Sequence, residues 1–221
     1  MVQKGAVAPE AFDPACRRCE RLAAFLAGVR TKHPEYHARP VPAFGVSRPR
    51  VLVVGLAPGM HGANRTGRPF TGDYAGVLLY ETLHAVGLAS RPVSERADDP
   101  LRLLGCRITN AARCVPPANK PLPAEVRNCA GFLAADVAAL AAGGVCLALG
   151  RVAHEAVLRV LGLRLAAWPF GHGTEHRLPD GRWLVDSYHC SRYNTQTRTL
   201  TAEMFRRVVG RAAALAGGTS P

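Results

Sequence analysis

Short apolar runs alternate with helix-period stretches along this chain. "VLVVG" (51–55), "CRITNAA" (106–112) and "VCLALG" (145–150) have strand length and no regular polar alternation. That is how strands buried on both faces read. Between and around them, 16–29, 75–87, the run from Pro123 and "RVAHEAVLRVLG" after 150 carry apolar residues at helical spacing. Pro123 falls near a first turn with Glu125 just inside it, as helix starts prefer. "TEHRLPDGRWLVDSYH" places Asp180-Gly181 between two strand-like arms, a hairpin signal. A last amphipathic helix is predicted over 201–216. The most apolar long run, Cys129 to Gly150, contains Asp136 and breaks at Gly143-Gly144. It predicts a buried helix followed by a strand, not a membrane span.

Strands alternating with helices predict an α/β fold with a mostly parallel sheet covered on both faces. Neither a repeat nor a linker divides the chain, so residues 1–221 are expected to form a single domain. Residues 1–15 read as a loose N-terminal tail, and 32–50 as a proline-rich irregular segment. In such sheets ligands bind beyond the carboxyl ends of the strands. That rule brings three segments to one rim: the loop after Gly55, the segment around Asn110, and "SYHCSRYN" after the hairpin.

The formal net charge of +12 over 221 residues, carried mostly by arginine, favours anionic partners. Nucleic acid comes first among them and an anionic membrane surface second. The N-terminus lacks a signal-peptide pattern, which makes a cytoplasmic protein the expectation. Disulfides are rare in that compartment, so the seven cysteines need another explanation. Cys106 and Cys146 sit in apolar strands and Cys190 follows a histidine; these read as packed thiols. Cys16 and Cys19 are spaced C-x2-C, and Cys114 and Cys129 lie in a loop and at a helix start. Four thiolates suit structural zinc or an iron–sulfur cluster. Spacing alone does not choose between them, nor against buried core cysteines.

The loop "GLAPGMHGANRTGRPFTGD" (55–73) sits where phosphate loops sit. Gly62 and Gly67 have P-loop spacing, but Arg68-Pro69 replaces the lysine and hydroxyl. A dinucleotide fingerprint fails as well. Phe70 is a natural stacking face for a planar ligand. Asp73 is the loop's one acid; just before a helix it reads first as an N-cap, with a catalytic group as the alternative. Asn110, at a strand end, can offer donor and acceptor to one edge of a base, or simply be a polar terminus. His189, with Ser191 and Asn194, lies at the same rim.

Taken together, these segments resemble the uracil-DNA glycosylase superfamily, and within it the family-5 (type B) branch. "GLAPGMHGANRTGRPFTGD" is similar to that family's first motif. "SYHCSRYNTQTRTLT" is similar to its second, with Cys190 where proline is common. "CRRC" and "TNAARCVPPANKPLPAEVRNC" resemble its cluster-binding segments. The resemblance implies a four-stranded parallel sheet flanked by helices and a [4Fe-4S] cluster on Cys16, Cys19, Cys114 and Cys129. It implies a base pocket formed by Gly55, Ala57, Phe70 and Asn110, with Phe70 stacking on a flipped base and Asn110 reading its edge. His189 would donate to uracil O2, and the loop glycines would let backbone approach the nucleotide. Arg65, Ser191, Arg192, Tyr193 and Asn194 would meet DNA, with Arg192 or Tyr193 probing the gap left by the base. Many superfamily members carry Asp or Asn at the position of Ala57 to place water. Its absence here turns attention to Asp73 as the catalytic acid.

The expected activity is therefore removal of uracil, or of hypoxanthine and other deaminated bases, from DNA by a monomeric enzyme. Two rivals remain at this level: a hydrolase of free nucleosides, and a DNA-binding module with a structural metal and no activity.

Overall fold

The computed structural model describes residues 5–217. Its sheet contains β1 (Phe44–Gly45), β2 (Val51–Gly55), β3 (Cys106–Asn110), β4 (Val145–Leu149), β5 (Glu175–Arg177) and β6 (Trp183–Ser187). Their order is β1-β3-β2-β4-β6-β5. The inner four strands are mutually parallel, while β1 and β5 pair antiparallel at the two edges. The expected four-stranded parallel sheet is thus the centre of a six-stranded mixed one.

The helices are α1 (Glu20–Lys32), α2 (Ala63–Thr66), α3 (Tyr74–Ala85), α4 (Pro123–Asn128), α5 (Ala130–Ala138), α6 (Arg151–Val160), α7 (Arg192–Gln196) and α8 (Ala202–Gly217). Strand periodicity sorts the core between them. Val51 and Val53 of β2 pack with Leu79 and Leu83 of α3 and Phe205 and Val209 of α8. Leu52 and Val54 face the other way, onto Leu133 and Val137 of α5 and Ala153 and Val157 of α6. Helices therefore cover both faces, and every residue of β2 and β4 is buried. That is why these runs show no polar alternation.

Several boundaries depart from the sequence reading for physical reasons. The run expected to be helical from Cys16 begins at Glu20, with Cys19 as its N-cap residue. The helix from Pro123 is broken at Cys129, which ends α4 and starts α5. Residues 5–15 have no regular structure, yet they do not hang loose. Val7 N donates to Val160 O at 3.0 Å, Glu10 N to Gly131 O at 2.9 Å, and the Phe12 ring meets Phe132 edge-on at 5.7 Å. Among the described residues, no helix is long and apolar enough to cross a membrane.

Candidate active site and cysteine centre

The carboxyl ends of β2, β3, β4 and β6 open onto a cleft of about 680 Å³. Ala57, Phe70, Asp73, Asn110, His189, Ser191 and Arg192 all line it, drawn from three separate parts of the sequence. Strand register does much of this work. Gly55 pairs with Asn110 across β2 and β3. A Cβ on Gly55 would lie 2.4 Å from Asn110 Oδ1 and 2.6 Å from Phe70 Cζ. Gly55 is therefore not a wall of the cleft. Its missing side chain is the space that Asn110 and Phe70 occupy.

Phe70 holds a left-handed backbone, φ 53°, rare for a bulky residue. Such a conformation costs on the order of 1–3 kcal/mol and persists where neighbours enforce it. Here the Tyr80 hydroxyl donates to Pro69 O at 2.8 Å, and Thr71 and Ser94 hydroxyls meet at 2.8 Å. The strained turn aims the ring into the cleft, where it stacks near His189 with centroids 5.9 Å apart and 27° between planes. Arg68, in the place a P-loop gives to lysine, points elsewhere. It is buried against Ser94, Asp99 and the Phe44 ring and anchors the 94–99 loop.

Asp73 serves as N-cap and cleft residue at once. Its Oδ1 accepts from Gly76 N at 3.0 Å, capping α3. Oδ2 faces the glycine loop, where a Cβ on Gly62 would sit 2.2 Å away. The glycines at 55 and 62 thus make room for protein side chains, a use that the sequence reading did not foresee. Burial raises the Asp73 carboxyl above its ordinary value, partly offset by hydrogen bonds from Gly76 and Ala75.

Asn110 is 3% exposed, and its Oδ1 has no hydrogen-bond partner among the described residues. His189 Nδ1 is also buried without a partner. Burial pushes the His189 imidazole down to about 4, so the ring is neutral near pH 7. Unpaired buried polar atoms are costly unless a ligand satisfies them.

The remaining expected site residues fall around this centre. Arg192 reaches over the Tyr74 ring at 5.1 Å, and Tyr193 is 73% exposed beside the cleft-lining Ser191. Asn194 turns inward, its Nδ2 donating to His189 O at 2.8 Å. Arg65 lies outside the cleft lining, its Nε donating to His61 O at 2.7 Å across α2. Both clamp backbone that carries site residues.

Sequence reading missed Asn119, which lines the cleft from a tight turn where Ala118 and Asn119 are both left-handed, φ 53° and 56°. The proline pair followed by Asn in "PPANK" is the available signal, since Asn tolerates that conformation. It also missed a buried brace under β6. His154 Nδ1 meets Asp186 Oδ1 at 2.8 Å, its Nε2 meets Trp168 O at 2.9 Å, and His176 Nε2 meets Pro169 O at 3.2 Å. These three residues could group ligand atoms around an ion. Their existing hydrogen bonds already account for the arrangement.

Away from the cleft, Cys16, Cys19, Cys114 and Cys129 line one small cavity with Arg18, Arg113 and Phe132. The four expected thiols, far apart in sequence, are brought together. The Arg21 fork ties the two halves, donating from Nε and Nη2 to Glu125, both at 2.7 Å. Glu125 in turn accepts from Leu122 N at 2.7 Å in the first turn of α4. Among the described residues the trio of metal-type donors closing within 4.8 Å is His154, His176 and Asp186. A tetrahedral zinc with Zn–S near 2.3 Å would draw its sulfurs to roughly 3.8 Å. Burial and neighbouring thiols push Cys114 up to about 12, and burial pushes Cys129 up to about 11.

A stacking ring, an orphaned amide, a neutral imidazole and a raised carboxyl converge at the carboxyl rim of a parallel sheet. The arrangement is a concave cleft with one aromatic wall onto which these polar groups converge. Comparison with known proteins narrows its class. The model of the "Uracil DNA glycosylase superfamily" matches residues 42–212, leaving α1 and the first cysteine pair outside. A "Type-5 uracil-DNA glycosylase" of Thermus thermophilus is 51% identical over 208 residues, covering 92% of this chain and 94% of that one. One of Pyrobaculum aerophilum is 42% identical, covering 91% and 89%. A "Type-4 uracil-DNA glycosylase" of Archaeoglobus fulgidus is 31% identical over 67% of this chain and 61% of its own. This chain belongs to the uracil-DNA glycosylase superfamily.

Proposed function

We propose that this protein is a DNA repair glycosylase that flips uracil out of DNA and hydrolyses its N-glycosidic bond, leaving an abasic site. One observation carries the reading: Asn110 Oδ1 and His189 Nδ1 are buried without partners in a cleft already floored by Phe70. A base edge is the ligand such atoms lack. Superfamily membership and the type-5 relatives support the same substrate. Hypoxanthine and other deaminated bases are proposed as further substrates, because Ala57 leaves the cleft without an acid at that position.

Extruding a base costs a few kcal/mol, least at a mismatch. The +12 charge offsets this through phosphate contacts. Ser191, Arg192 and the exposed Tyr193 would follow the strand and probe the gap. Once the base lies on Phe70, the bond from sugar C1′ to base N1 breaks, and its electron pair leaves with the base. His189, neutral, donates to the developing oxyanion at O2, a preorganised dipole that needs no proton transfer. Asp73 Oδ2 orients the water that attacks C1′ and accepts its proton.

The four cysteines are proposed to hold a [4Fe-4S] cluster. Four thiols lining one cavity supply the donor set, and the resemblance to cluster-binding segments favours the cluster. Its contribution is structural: it joins the segment before α1, the loop after β3 and the α4–α5 junction. The protein is proposed to act as a cytoplasmic monomer.

The test compares a uracil-containing duplex oligonucleotide with free deoxyuridine. Alkali-labile sites at uracil, with the nucleoside untouched, support the reading. Hydrolysis of the free nucleoside alone would favour the nucleoside-hydrolase alternative, and binding without any cleavage would favour a DNA-binding module.

A further inference from the structure

Arg113 immediately precedes Cys114 and is 2% exposed. Its Nη2 pairs with Asp136, while Nε and Nη1 are buried with no hydrogen-bond partner among the described residues. Leaving such donors unpaired costs roughly 1–3 kcal/mol each. Asp136 cannot absorb them, because it also accepts from Arg107 Nε at 3.0 Å and Thr109 Oγ1 at 2.7 Å. Two guanidinium groups thus share one carboxylate, which leaves a surplus positive charge in a packed region.

Arg113 lines the cavity of the four cysteines, and its backbone N donates to Cys129 Sγ at 3.5 Å. The cavity's other arginine, Arg18, is already engaged by Glu10 and by the Phe132 ring at 5.0 Å. We propose that Arg113 is the charge-compensating residue of the cysteine centre, with its spare N–H groups serving the sulfur cage and raising the reduction potential of the cluster held there. This inference rests on the iron–sulfur reading above. The orphaned donors, lining the same cavity as the four thiols, are its observation. A cation and N–H donors beside a cluster favour its more negative, reduced state, since hydrogen bonds to sulfur and local charge set such potentials. Phe12, 5.6 Å from the guanidinium carbon, offers only a π face and no acceptor.

The experiment is a reductive titration of anaerobically purified wild type, Arg113→Met and Arg113→Lys, with iron, sulfide and zinc measured per chain. In Arg113→Met the reduced-to-oxidised ratio at a fixed potential should fall about tenfold, a downward shift of about 59 mV for one electron. Arg113→Lys keeps the charge but loses the planar fork, and should fall between the two. If Arg113→Met does not fold, Arg113→Lys carries the test by its own downward shift. Iron-loaded variants with the wild-type potential would overturn the role of Arg113 and leave the cluster standing. Wild type containing zinc, or no iron, would instead overturn the cluster reading and this inference with it.

Discussion

Replacing Asp73 in two ways separates its two jobs. Oδ1 caps α3 through Gly76 N, and Oδ2 faces the cleft loop. Asp73→Ala removes both. Losing an N-cap costs about 1 kcal/mol, but removing the buried charge offsets part of it, so Tm should fall by no more than roughly 2–4 °C. Losing the water-positioning acid should lower single-turnover excision by about 10²–10⁴, or roughly 3–5 kcal/mol of barrier. Asp73→Asn keeps the cap, because Asn caps as well as Asp, and removes only the charge. Its pH behaviour follows from the raised pKa. Burial holds the folded carboxyl above its ordinary value, so the folded state binds its proton more tightly than the unfolded chain. That contribution to stability is present below the unfolded value and lost as pH rises through the folded one. Ionised Asp73 is therefore a liability near neutral pH, and Asp73→Asn should melt no lower than wild type there. The assay pairs thermal melts with single-turnover scission of a uracil duplex across pH. Wild type should show a rate limb rising through the Asp73 pKa, and both variants should lack it. A fully active Asp73→Asn beside a destabilised Asp73→Ala would make Asp73 a helix cap and nothing more.

The other predictions probe the rest of the cleft and the cysteine centre. His189→Ala should reduce excision about 10²–10³-fold. Because burial pushes His189 down to about 4, the wild-type rate should show no limb near the ordinary histidine value of about 6.5; an NMR titration placing His189 near that value would contradict its role as a neutral donor. Gly55→Ala forces a Cβ to within 2.4 Å of Asn110 Oδ1, so base binding should weaken at least tenfold with DNA affinity largely kept; unaltered excision would mean the pocket does not need that approach. Cys129→Ser, or iron chelation under denaturing stress, should bleach the protein and lower Tm before it lowers the rate per folded molecule; bleaching without any stability loss would remove the structural role.

Much of the cleft was legible because it follows from topology. Apolar runs gave away the parallel strands, and their carboxyl ends place Gly55, Asn110 and the His189 segment at one rim whatever the details. One edge was legible and the other was not: the hairpin signal at Asp180-Gly181 gave β5 against β6, while β1 has only two residues. Periodicity likewise runs through Cys129 without showing the break between α4 and α5. Side-chain direction was the larger gap. Arg65 and Asn194 stand in the right segments yet turn to backbone carbonyls, and Asn119 enters the cleft through a left-handed turn. Spacing carries no information on such rotations. It also could not show that glycines 55 and 62 clear space for Asn110, Phe70 and Asp73.

The central claim is that this cleft releases a base from DNA by hydrolysis. The most direct measurement counts free uracil and abasic sites together, by mass spectrometry and aldehyde trapping, after wild type meets a uracil duplex. The account predicts one free uracil for each abasic site, with strands intact until alkali is added. Strand breaks without released base, or no released base from duplex DNA, would contradict it.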